Sequence, residues 1–171
     1  MDKAELARRL KAAAYLQGDF VLRSGRRSKY YLDKYLFETQ PDILAELGRL
    51  FAQRAGEADL IAGTELGGVA LAAAASMASG RPFVIVRKER KDYGTGKQIE
   101  GPPVAGKRVL LVEDICTTAG AALAAAGTLA AAGASITRLA FVIDRMEGGR
   151  QNVEAAGYAF DALLTKDDLG I

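Results

Sequence analysis

Residues 109–120, VLLVEDICTTAG, hold the side chains best suited to chemistry. An apolar run, Val109 to Val112, ends in two adjacent carboxylates, Glu113 and Asp114. Then come hydroxyl-bearing and small residues, Thr117, Thr118, Ala119 and Gly120. Paired carboxylates accept hydrogen bonds from vicinal hydroxyls, and exposed N–H groups where a loop turns into a helix favour a phosphate. The alanine-rich segment Ala121–Ala132 is strongly helix-favouring and puts Thr117–Gly120 at such an N-terminus. The combination suits a ribose 5-phosphate, with sugar and phosphate addressed together.

The surrounding pattern supplies elements to carry these groups. Residues 1–16 have helical periodicity, with Leu6, Leu10 and Leu16 among charged residues. Helical spacing returns over Asp42–Ala55 after Pro41, a residue suited to a first helical turn, and again over Leu66–Met77. Short apolar runs at Asp59–Ala62, Pro82–Val86, Lys107–Val112 and Thr137–Ile143 read as strands. Such alternation predicts an α/β fold with a parallel sheet flanked by helices. Ligands in these sheets bind at the carboxyl ends of the strands, where Gly63, Arg87, Glu113 and Asp144 fall. Phe20–Phe37 has strand-like alternation and Ala156–Ile171 is a short mixed tail. The expectation is one domain over 1–171, with residues 1–40 and the C-terminal tail forming a small cap over the ligand edge.

Composition removes several function classes. The 171 residues contain no histidine, which excludes Ser-His-Asp, Cys-His and HExxH chemistry. One cysteine, Cys116, cannot form an internal disulfide framework or a thiolate-rich metal site within one chain. A net charge of +2 gives no global argument for nucleic acid. No apolar run approaches the roughly 18 residues needed to span a bilayer, and residues 1–16 lack the apolar core of a signal peptide. A cytoplasmic protein is expected. Chemistry must rest on carboxylates, cations, backbone dipoles or a metal carried by substrate.

VLLVEDICTTAG resembles the phosphoribosyl-pyrophosphate (PRPP) motif of the type I phosphoribosyltransferases. Four further segments resemble the orotate phosphoribosyltransferases, in that family's order: FVLRSGRRSKYYLD (Phe20–Asp33), GTELGG (Gly63–Gly68), RKERKDYGTGKQIEG (Arg87–Gly101) and IDRMEGG (Ile143–Gly149). The resemblance implies a Mg²⁺-dependent transfer in pyrimidine (UMP) biosynthesis, orotate and PRPP giving orotidine 5-phosphate and pyrophosphate. It also implies a homodimer whose basic lid is shared between subunits.

By the same resemblance, Glu113 and Asp114 hold the ribose hydroxyls directly or through Mg²⁺ bound to PRPP, Asp114 being the residue open to the metal. Thr117, Thr118, Ala119, Gly120 and Ala121 receive the 5-phosphate, and Gly67 and Gly68 belong to the loop that cradles pyrophosphate. Arg23, Tyr31 and Leu32 line the base pocket, and Arg145 meets the carboxylate of orotate. Arg87, Lys88 and Lys91 are expected to neutralise the leaving pyrophosphate, and Asp114 to lie beneath the developing sugar cation. The chain departs from the family pattern at several positions. Arg23 stands where lysine is usual, Tyr93 where histidine is usual, Ala119 where glycine is common and Ala121 where a hydroxyl residue is common. Leu66-Gly67 stands where many relatives carry Tyr-Lys. Transfer to another base, and a PRPP-sensing regulator, are the competing readings. A dinucleotide-binding protein is disfavoured because no GxGxxG follows a strand.

Overall fold

The computed structural model describes residues 1–21, 25, 27–89 and 96–171. Its centre is a six-stranded sheet in the order β5-β4-β3-β6-β7-β8. The strands are β3 (Leu60–Thr64), β4 (Phe83–Val86), β5 (Ile99–Glu100), β6 (Arg108–Cys116), β7 (Ser135–Asp144) and β8 (Phe160–Thr165). All neighbours pair parallel except the short edge strand β5, which runs antiparallel to β4. A separate antiparallel hairpin, β1 (Tyr15–Val21) with β2 (Arg27–Leu32), follows helix α1 (Lys3–Ala14). The remaining helices are α2 (Lys34–Glu38), α3 (Pro41–Arg54), α4 (Gly67–Ser79), α5 (Gly120–Ala131) and α6 (Gly149–Ala155).

The middle stretches of the central strands are apolar because both faces are covered. Leu110 and Val112 of β6 pack with Leu47, Phe51 and Leu71 of α3 and α4. Val109 and Leu111, pointing the other way, pack with Ala125, Ala126 and Leu129 of α5 and with Val153 of α6. The helices approach closely because their contact residues are small. A Cβ on Gly48 would come within 2.7 Å of Ala74, and one on Gly63 within 2.1 Å of the Gly68 carbonyl oxygen. Gly63 and Gly68 are therefore glycines of strand–helix packing.

Three expectations change. β6 continues to Cys116 because β7 pairs with it as far as Cys116↔Asp144, so Glu113 and Asp114 stand inside the strand rather than in the loop after it. The strand-like reading of Phe20–Phe37 stops at Leu32, where the Asp33 side chain caps the short helix α2. The C-terminal tail, expected in the cap, instead supplies β8, the sheet's edge next to β7. Its last turn returns to the N-terminal helix, through Lys3–Asp168 at 2.8 Å and Lys11 Nζ donating to the Gly170 carbonyl at 3.1 Å.

Candidate active site

At the carboxyl ends of β3, β6 and β7 lies a cleft of about 370 Å³. Its floor is the acidic pair of β6. Glu113 and Asp114 are both buried. The Thr64 hydroxyl, at the end of β3, donates to Glu113, and the Ile115 N–H donates to Asp114 Oδ1 at 2.5 Å. Burial, then the charge of Asp114, pushes the Glu113 carboxyl up from its ordinary range. Lys34, on the first turn of α2, places its ammonium 2.6 Å from Asp114 Oδ2. Burial alone would lower the Lys34 pKa, but the contact with Asp114 outweighs it and the net direction is up. Glu38, one turn further along α2, is buried beside Asp114, and its carboxyl is pushed up to about 8 by burial and then by that charge.

One wall is the start of α5. Thr117, Ala119, Gly120 and Ala121 line the cleft. Ala119 adopts a left-handed conformation, φ 62°, as the N-cap residue, and its side chain has no hydrogen bond to offer the helix. The first N–H groups of α5 thus face the cleft without a side-chain cap, an arrangement that favours an anion. The methyl group noted as a departure at position 119 sits at a position where glycine costs least. Thr118 lies outside the cleft lining, its carbonyl accepting from Asn152 Nδ2 at 3.0 Å. The opposite wall comes from β3 and α4: Glu65, Leu66 and Gly67 line it, whereas Gly68 packs under Val112. The Glu65–Leu66 peptide is cis.

The far end of the cleft carries Arg145, just past β7, facing Tyr31 and Leu32 of β2. Its guanidinium is clamped from two sides. Nη2 donates to the Tyr30 hydroxyl at 3.2 Å, and Nε lies 3.0 Å from Glu147. The guanidinium also lies over the Tyr30 ring, 5.6 Å from the centroid, and that ring stacks on Tyr15. The ion pair with Glu147 and the place in the cleft coexist.

Of the expected cations, Lys88 lines the cleft. Arg87 lines a neighbouring cavity of about 140 Å³ with Thr64, Gln98 and Thr128. Arg23, Arg90, Lys91 and Tyr93 lie outside the described residues. Lys34, Tyr35, Glu38 and Tyr30 were missed by sequence reasoning. The available signal was their place in KYYLDKYLFE, which runs from the cap strand β2 into α2. Cys116 is buried, and its thiol is pushed up to about 12 by burial and by the charge of Asp144, so it is no nucleophile.

A parallel sheet with an acidic pair ending its central strand, an uncapped helix start beside that pair and a glycine-rich turn on the adjacent strand define a class. The chain belongs to the phosphoribosyl transferase family, whose domain matches residues 37–156. Within that family it stands with the orotate phosphoribosyltransferases. It is 46% identical to the orotate phosphoribosyltransferase of Halobacterium salinarum over 96% of this chain and 95% of that one. Two solved structures of the Mycobacterium tuberculosis H37Rv orotate phosphoribosyltransferase are similar over the full length of both chains. The complex with Fe(III) dicitrate has a TM-score of 0.90 at 34% identity, and the complex with PRPP has 0.86 at 32%.

Proposed function

We propose that the protein is an orotate phosphoribosyltransferase, forming orotidine 5-phosphate and pyrophosphate from orotate and PRPP. One observation carries the reading. A single cleft holds the acidic pair, the uncapped start of α5 and, at its far end, a guanidinium fixed in orientation. The N–H groups of α5 receive the 5-phosphate. Glu113 and Asp114 accept from the ribose hydroxyls. Arg145 pairs with the orotate carboxylate, for which its planar fork is suited. Tyr31 and Leu32 flank the base.

The base nitrogen attacks C1 as the bond to the leaving oxygen breaks, and the electron pair departs with pyrophosphate. Asp114 lies under the positive charge that develops on the sugar, and Lys88 faces the negative charge that develops on the leaving group. Orotate reacts as an anion at a nitrogen that has lost its proton, so no histidine base is needed.

Among the described residues no three carboxylate or thiolate side chains converge as a metal cage. The donor set fits a Mg²⁺ that arrives with the diphosphate, Asp114 being the residue that would hold it. Bound there, the ion would neutralise the leaving group. We also propose a cytoplasmic homodimer in which the segment around Arg87–Lys97 is shared between subunits, Lys88 serving its own cleft. The resemblance of that segment to the family's basic lid supports this. Steady-state turnover with PRPP, Mg²⁺ and orotate, beside uracil, adenine and hypoxanthine, tests the function. Orotate-selective turnover is expected, and PRPP binding without orotate turnover overturns it. Sedimentation at several protein concentrations tests the dimer.

A further inference from the structure

PRPP carries its two anionic groups at opposite ends of the ribose, the 5-phosphate at one and the diphosphate on C1 at the other, with the vicinal hydroxyls between them. The cleft has the same order. The acidic pair ends β6. On one side of it the α5 start follows β6, and on the other the α4 start follows the neighbouring strand β3. If α5 takes the 5-phosphate and β6 the hydroxyls, as proposed above, the diphosphate falls on the α4 side.

That side is short of side-chain cations. The turn from Thr64 to Gly68 contains none, and α4 starts at Gly67 with neither a side-chain cap nor an acidic residue in its first turn. Besides Lys88, which also lines the cleft, an ammonium reaches this side from the cap. A Cβ built on Gly67 would lie 3.1 Å from Lys34 Nζ and 1.7 Å from Asp114 Oδ2. The absent side chain at position 67 therefore leaves the space that the Lys34–Asp114 pair occupies. Lys34 lines the same cleft, and its side chain is 31% exposed. An ammonium has three N–H donors, more than one carboxylate oxygen accepts, so Lys34 can keep Asp114 and still donate to a phosphate oxygen.

We propose that Lys34 is a PRPP-binding residue that contacts the diphosphate, supplying from the cap the cation that the glycine turn lacks. The inference rests on the PRPP reading of the cleft. It also accounts for Gly67: a side chain there would displace both the ammonium and the carboxylate.

Isothermal titration of the whole protein with Mg²⁺ and either PRPP or ribose 5-phosphate tests it. Ribose 5-phosphate keeps the hydroxyls and 5-phosphate but has no diphosphate. Lys34→Met, which keeps length and loses charge, is expected to weaken PRPP by about tenfold more than it weakens ribose 5-phosphate, the size of one charge-assisted contact. Lys34→Arg is expected to recover most of the loss. An equal loss for both ligands would show that Lys34 only orients Asp114, and no loss for either would show that it plays no part; each overturns the proposal. Thermal melts of the variants separate misfolding from lost contact. Should Lys34→Met fail to fold, Lys34→Arg and Lys34→Gln carry the same comparison. Failure of the wild-type protein to bind PRPP would instead overturn the reading of the cleft itself.

Discussion

The two halves of the cleft are built by different means. The sugar-phosphate half is made by strand ends and helix starts that are close in sequence. Residues 113–121 supply the acidic pair and the α5 wall, and Glu65–Gly67 supply the α4 wall. The base half is made by side chains brought from far apart. Arg145 reaches Tyr30 across 115 positions, and Tyr15 backs that tyrosine from the other strand of the hairpin. On the reading proposed above, the first half binds largely through the backbone, so the limits are on small residues. The second binds through clamped side chains, so the limits are on what holds them. The halves are expected to fail separately.

The largest effect is expected at the base end. Arg145→Ala should lower kcat/KM for orotate by roughly 10²–10³-fold, because it removes the charged partner of a desolvated carboxylate, while PRPP binding holds. Steady-state kinetics with each substrate varied checks this, and a parallel loss of PRPP affinity would break the division. On the backbone side, Gly63→Ala drives a Cβ to 2.1 Å from the Gly68 oxygen. It should destabilise the fold by about 3 kcal/mol in chemical denaturation, with overpacking as the cause. A smaller change sharpens the contrast. Tyr30→Phe keeps the ring under Arg145 and removes the hydroxyl acceptor, so KM for orotate should rise about fivefold with KM for PRPP unchanged.

The smallest effect concerns pH. The Glu38 carboxyl titrates at about 8, above the ordinary range. Between pH 5 and 8 the folded protein binds more protons there than the unfolded chain, so this group's contribution to stability falls as pH rises. Glu38→Gln removes that dependence. Its Tm should exceed the wild-type value by about 2–6 °C at pH 8.5, and the gap should close toward pH 5. A constant gap across that window would show that Glu38 is not held protonated.

Legibility in the sequence follows the same division. The acidic pair, the α5 start and the positions of β3, β4, β6 and β7 along the chain could be read because each is a local pattern. Those strands each contain a short apolar run and the helices between them are periodic. The end of β6 could not be read, since polar Glu113 and Asp114 look like a loop until β7 is known to pair beside them. The role of Ala156–Ile171 was hidden for a related reason. β8 lies at the sheet edge, its burial is mixed, and its place depends on a parallel partner in β7. The close packing of Gly68 against Val112 could not be read either, because its partner lies on another strand. Lys34 carried no motif of its own, because its meaning comes from Asp114, eighty positions further on.

The contact between Gly63 and Gly68 reaches beyond packing. It seats the first turn of α4 directly on β3, and β6 lies one strand away, about 4.8 Å across the sheet. The distance between the starts of α4 and α5 is thereby set by main-chain geometry rather than by any side chain. The protein carries a fixed ruler, and on the proposed reading a ligand is measured by how far apart its phosphates lie.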